Sequence, residues 1–292
     1  MRVYGVRMRW SLMGVLSAAL CAGWLSAQPS QPPMPAGQLV REVVYNELHD
    51  HERHGYWRYW IERRGQKETR LEEQVETAEG PITRLDASNG RPLDPASRLA
   101  EEDRLRRLLS SPEEQAHHRQ AFIEDESRIG RIVALLPEAF LYEYDGEENG
   151  CYRLRYHPNP DYPARTVEAR VFHAMSGELW VSIRYKRLSR LDGRLDANVD
   201  FGYGILGRLY KDGWFRLQRT RVSATDWKTE RLEVHMNGRA MLFKTIAHET
   251  SEVRGGFVAV PAGLKLAQAV SLLDQTQIDS AMVLPASFAI GQ

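Results

Sequence analysis

The chain has 292 residues, with 39 basic and 39 acidic side chains, 42% hydrophobic residues and two cysteines. A balanced charge excludes a dedicated nucleic-acid binder, whose affinity comes from a basic face, and two cysteines are too few for a disulfide framework. The length suits one large domain or two small ones.

The first segment carries Arg2, Arg7 and Arg9 with no acid, followed by an apolar run from Ser11 to Ala27. A short basic head and an apolar body of this size predict a secretory signal, residues 1–27, and hence a protein exported to the bacterial periplasm. The competing reading is an uncleaved anchor, which needs about 20 apolar residues. Cys21 is preceded by Leu20. Lipid attachment needs a small residue there, so a lipidated cysteine is not expected. Loss of the signal leaves Cys151 as the remaining cysteine, and 36 basic against 39 acidic residues. The exported chain must then be held together by its core.

Residues 28–40 include the proline-rich run QPSQPPMPAG, expected to be a flexible lead-in. A single α+β domain is predicted over 41–273. Its first strand carries the aromatic-rich Tyr56-Trp57-Arg58-Tyr59-Trp60-Ile61. A second follows at Glu68 to Val75, and a third at Ile82 to Leu85 before the turn Asn89-Gly90. The stretch 94–137 reads as a helical insertion. Leu99, Leu105, Leu108 and Leu109 lie at helical spacing, and Ser111-Pro112 starts a second helix through Phe122, Ile129, Ile132, Val133 and Leu136. Pro137 is expected to stop it.

From 140 to 253 the pattern is a meander of β-strands. Turns are predicted at Asn149-Gly150, Ser176-Gly177, Asp192-Gly193, Asp212-Gly213 and Asn237-Gly238. Leu179, Val181 and Ile183 share one face, opposite Trp180 and Ser182. Leu232, Val234 and Met236 share another, opposite Arg231, Glu233 and His235. A large antiparallel sheet of this kind curls, and amphipathic helices are expected to cover its concave face. A short helix is predicted from Leu264 to Leu273, with a loose tail over 274–292.

Few patterns point to catalysis. His49, His51 and His54 could in principle supply zinc ligands to a hydrolase, but their spacing matches no metal motif. Gly202 to Gly207 fits GxGxxG, yet no helix follows it, so no nucleotide or other cofactor is expected. Cys151 lacks a placeable base, and no Gly-x-Ser-x-Gly elbow occurs. The expectation is a non-enzyme without metal. The aromatics are the stronger signal. Trp57, Trp60, Trp180, Trp214 and Trp227 all fall in β-rich parts. They serve either interstrand packing or an apolar cavity under the sheet.

The segment Phe172 to Val253 carries these alternating strands in succession, with Gly177-Glu178-Leu179-Trp180-Val181 beginning one of them and Pro158-Asn159-Pro160 ending another upstream. In these features the chain resembles the outer-membrane lipoprotein-sorting (Lol-type) carriers, and within them a group of exported bacterial proteins. The resemblance implies an incomplete antiparallel β-barrel with helices as a lid, and an apolar cavity for lipid or lipoprotein acyl chains. Trp57, Tyr59, Ile61, Leu179, Val181, Ile183, Leu232 and Val234 are the candidates to line it. An envelope protein partner is a second expectation, with a filled core and no ligand as the competing reading. The charged insertion from Asp94 to Gln120 is larger than a simple carrier needs. No functional residue is carried over from the family.

Overall fold

The computed structural model describes residues 34–50, 55–201, 207–240 and 244–275, with side chains omitted over 240–248. The expected signal, His51 and His54, most of the GxGxxG run and nearly all of the tail lie outside these residues.

Asn149 and Gly150 adopt φ of 50° and 75°, the left-handed pair that a two-residue hairpin requires. They join β5 (Phe140–Glu148) to β6 (Cys151–Pro158). Asn89 and Gly90 do the same between β3 (Ile82–Ser88) and the two-residue β4 (Arg91–Pro92). The remaining strands are β1 (Tyr56–Arg64), β2 (Thr69–Val75), β7 (Met175–Ser182), β8 (Leu188–Leu195), β9 (Val199–Phe201), β10 (Gly207–Leu209), β11 (Trp214–Arg221), β12 (Trp227–Ala240) and β13 (Lys244–Val260). They form one antiparallel sheet in the order β4-β3-β2-β1-β13-β12-β11-β8-β7-β6-β5, with the β9–β10 hairpin joined at β12. The sheet is not closed into a barrel. With five helices among the described residues, the fold is α+β, as the sequence pattern predicts.

Strands β4 and β5 follow one another in the chain but occupy opposite edges. Two helices make the crossing, α2 (Pro95–Ser110) and α3 (Pro112–Ala139). Asp94 caps α2 by accepting from Ser97 N (2.9 Å), and Ser111 caps α3 by accepting from Glu114 N (3.2 Å). Pro follows each cap, where its missing N–H costs nothing. Pro137 does not stop α3. It sits in the last turn, and the freed end is satisfied from elsewhere. Tyr142 Oη donates to Leu136 O (2.7 Å), and Asn159 bonds Glu138 O and Ala139 O (2.9 Å each).

The helices pack on both faces of the sheet, not on the concave side alone. Helix α1 (Ala36–Leu48) begins inside the stretch expected to be a flexible lead-in, and buries Leu39, Val40, Val43 and Val44. Three of these are valine, a modest helix former, so tertiary burial sustains this helix. Its stripe meets Phe140, Tyr152, Leu154, Tyr156, Leu179 and Val181 on what we term the inner face of β5–β8. The end of α3 and the short α4 (Val167–Phe172), capped by Thr166, complete that core. Helix α5 (Leu266–Asp274) instead packs with Leu105 and Leu108 of α2 against Val75 and Ile82. Val75 pairs with Arg58, while Tyr59 and Ile61 pair with Gln74 and Glu72, so this second core lies on the opposite face. Helix α2 also shields the edge of β3. Glu101 accepts from Leu85 N (2.9 Å) and Arg104 donates to Thr83 O (2.6 Å), occupying groups a further strand would otherwise pair.

Three of the five predicted turns are strand interiors. Ser176-Gly177 lies in β7, Asp192-Gly193 in β8 and Asn237-Gly238 in β12. Their glycines serve close approach. Gly177 and Gly193 pair across β7 and β8, and the Tyr156 phenol crosses both to donate to Asp192 O (2.9 Å). A Cβ on Gly177 would lie 2.0 Å from Asp192 O, and one on Gly193 would lie 2.2 Å from Phe215 Cε1. Gly238 likewise abuts Arg208 O, at 2.6 Å from a would-be Cβ. Gly177→Ala should therefore lower unfolding free energy by about 1–3 kcal/mol. Gly37→Ala, in open space on α1, should raise it by about 0.5–1 kcal/mol. Urea denaturation of both variants checks the contrast.

Candidate functional site: the inner face of the sheet

Strand register builds one continuous row on the inner face. Leu154 pairs with Leu179, Leu179 with Leu191, Leu191 with Leu217, and Leu217 with Leu232. Directly opposed residues share a face, so five leucines from five adjacent strands stand side by side. At about 4.8 Å per step the row spans about 19 Å. Leu154 and Leu179 are sealed beneath α1, at 0% and 4% exposure. Leu191, Leu217 and Leu232 are half-buried. Val234 extends the apolar surface, paired with Phe215.

The row ends on charge. Leu232 pairs with Glu252, Glu252 with Arg63, and Arg63 with Arg70. Arg63 donates to Glu252 (3.1 Å) and to the buried Glu72 (2.6 Å), Arg70 meets Glu72 at 3.1 Å, and Arg254 donates to Glu252 at 2.8 Å. Burial works against ionisation of Glu252, but Arg254 and Arg63 outweigh it and hold the carboxyl below the usual range.

The predicted lining residues divide into three groups. Leu179 and Val181 lie inside the packed core, and Ile183 packs against it. Trp57, Tyr59 and Ile61 form a separate buried cluster with Val222 and Phe257. Leu232 and Val234 are half-buried on the mid-sheet, outside the described core clusters. In the second group, Trp57 Nε1 donates to Asp226 (3.2 Å), as does Gly55 N (2.6 Å). Ser223 and Thr225 hydroxyls also bond this carboxylate. Burial opposes its charge, yet these donors keep Asp226 below the ordinary carboxylate range. The Tyr59 hydroxyl donates to Glu76 (3.3 Å) and accepts from Gln74 Nε2 (2.5 Å), while burial pushes its phenol upward. Sequence reading missed Leu191, Leu217, Arg63, Glu252 and Arg254. The β8–β11 and β1–β13 pairings join strands that are not consecutive in the chain, so only register discloses the whole row.

The C-terminal end of α1 is fastened to the sheet by ions. Arg187, after β7, donates to Glu47 through Nε (3.0 Å) and Nη2 (3.1 Å), and to Asp50 through Nη1 (2.6 Å). Arg219 of β11 also binds Glu47, and Leu188 N donates to it at 3.2 Å. Asn46 Nδ2 reaches Lys186 O at 3.0 Å. This network fixes the helix that seals the closed end of the leucine row.

Other sequence candidates do not converge on chemistry. His49 Nδ1 bonds Tyr45 O within its own helix end (2.8 Å) and stacks on the Tyr45 ring. Cys151 is half-buried opposite Ser182, and burial pushes its thiol up. The described residues flanking the GxGxxG run are the antiparallel strands β9 and β10. Among the described residues, no group of three or more His, Cys, Asp or Glu is placed to hold a metal. No described helix is long and apolar enough to cross a membrane.

No family model matches this chain, and no curated protein does. Among solved structures, a DUF1329 family protein from Desulfovibrio piger is similar over 82% of this chain and 99% of its own, at 10% identity and a TM-score of 0.28. Identity and score are too low for that likeness to carry weight.

Two predictions follow from the polar geometry. Arg187→Ala removes the charge-assisted hydrogen bonds to Glu47 and Asp50 while Arg219 still holds Glu47, and should cost about 1.5–3 kcal/mol. Arg41→Ala, which breaks an exposed pair with Glu138, should cost under about 1 kcal/mol. Denaturant titration separates them. Asp226 has a depressed folded pKa, so its stabilisation is present above the unfolded carboxylate value of about 4 and is lost as pH falls through the folded value. Acidification from about pH 5 to 3 should lower the thermal midpoint more steeply in the parent chain than in Asp226→Asn, as calorimetry would register.

Proposed function

We propose that the protein binds apolar acyl chains of lipids or lipoproteins on the inner face of its sheet, without catalysis. In this reading it works outside the cytoplasm, where its basic and apolar first 27 residues would direct it. The observation that supports it is the leucine row, which passes from a sealed core at Leu154 and Leu179 to half-buried Leu191, Leu217 and Leu232. An acyl chain laid along the open part would leave water, each buried CH₂ contributing about 0.8 kcal/mol. A second reading is a structural module of the envelope that docks a protein partner. It draws support from Leu179 and Val181, which α1 packs to 4% and 0% exposure with no ligand needed.

The two readings differ in a direct measurement. A fluorescent fatty acid should bind the purified protein and be displaced by palmitate. Leu217→Asp and Leu232→Asp should each weaken uptake at least about tenfold, since a charge placed in the row costs more than the 1.4 kcal/mol that tenfold represents. Leu99→Asp, at an exposed position of α2, should bind as the parent does. Absence of uptake, together with lipid-free protein by native mass spectrometry after purification from membranes, would sink the acyl-binding reading.

A further inference from the structure

We propose that the charged end of the leucine row recognises an anionic headgroup, so that the ligand is a single-chain amphiphile ending in a carboxylate. This rests on the acyl-binding reading and adds to it the chemistry of the ligand's polar end. The row is polar at one end only. Beyond Leu232 it continues into Glu252, Arg63 and Arg70 on the same face, with Arg254 two residues along β13 from Glu252. Three arginines there meet two glutamates, Glu72 and Glu252. One positive charge is left over where the apolar surface stops.

Arg254 is the group in which the surplus is most evident. Its guanidinium has five N–H donors, and its one hydrogen bond among the described residues runs from Nη2 to Glu252. Nε is buried without a partner. A shielded donor without an acceptor is costly, and an oxyanion that supplies one recovers that cost. Arg153 and Arg170 also have a buried, unpartnered Nε. Arg153 pairs with Trp180 on the outer face and Arg170 lies over the Phe201 ring, so neither adjoins the row. The Arg254 side chain is 24% exposed and Arg63 is 37% exposed, which leaves both within reach of a ligand. The chain of such an amphiphile would lie on Leu232, Leu217 and Leu191, and its carboxylate would reach Arg254.

The test compares palmitate with hexadecanol, equal in chain length and different in headgroup charge, by competition against a fluorescent fatty acid. The parent protein should bind the acid about tenfold or more tightly than the alcohol. Arg254→Met should bring the acid-to-alcohol ratio towards one, and Arg153→Met should leave the ratio as in the parent. Circular dichroism and thermal melts establish that each variant is folded. If Arg254→Met does not fold, the parent ratio alone still decides. Equal binding of acid and alcohol by the parent overturns the headgroup assignment and leaves the acyl-binding reading intact. Binding of neither overturns the acyl-binding reading itself. A ratio unchanged in folded Arg254→Met removes Arg254 from the site.

Discussion

Strands β4 and β5 are consecutive in the chain and lie at opposite edges of one sheet, so covalent continuity forces residues 93–139 to cross its full width. Ten strand spacings of about 4.8 Å amount to about 48 Å along the sheet. The 28 residues of α3 span about 42 Å at 1.5 Å each. A helix is the economical way to cover such a distance because it satisfies its own backbone. The charged insertion that looks excessive for a small carrier is thus the connection that the strand order demands.

That crossing also explains the division into two cores. Helix α2 meets α5 on one face of β2 and β3, while the end of α3 meets α1 on the other face of β5–β8. Between them lies a stretch of sheet where the apolar row is half-buried. The ionic fastening of α1 through Glu47, Arg187 and Arg219 anchors the boundary between sealed and open parts. Partial burial of Leu217 and Leu232 is therefore a product of topology. Helices fixed at both ends of the sheet leave its middle less covered.

Apolar surface that grades into paired charge is a different chemical object from a filled core. In a core, buried ions cost desolvation and are kept sparse. Here Glu72 and Glu252 are paired with Arg63, Arg70 and Arg254, and the arginines outnumber them. On the outer face of β7 and β8, Arg190 stacks over the buried Trp180 and pairs with Asp192.

Much of the architecture was legible in local pattern. Alternation marked the strands around Leu179–Ile183 and Leu232–Met236, Ser111-Pro112 marked the start of α3, and Asn89-Gly90 and Asn149-Gly150 marked turns, because each is set by neighbours within a few residues. Helix α1 was hidden because its valines favour no helix locally, and burial against strands more than 90 residues away sustains it. The glycines of Ser176-Gly177 and Asp192-Gly193 carried a turn signal locally, whereas their reason is the Tyr156 ring arriving from another strand. The eight candidate residues were visible as apolar positions, but their separation into a sealed core, a second cluster and an open surface was not. That separation depends on strand register and on which face each helix takes. By itself the sequence determined the strands, most of the helices and the α+β class, all products of short-range periodicity. The tertiary structure alone decided that Leu154 to Leu232 form one row ending at Glu252 and Arg63, because pairing between distant strands is fixed only when the whole sheet assembles.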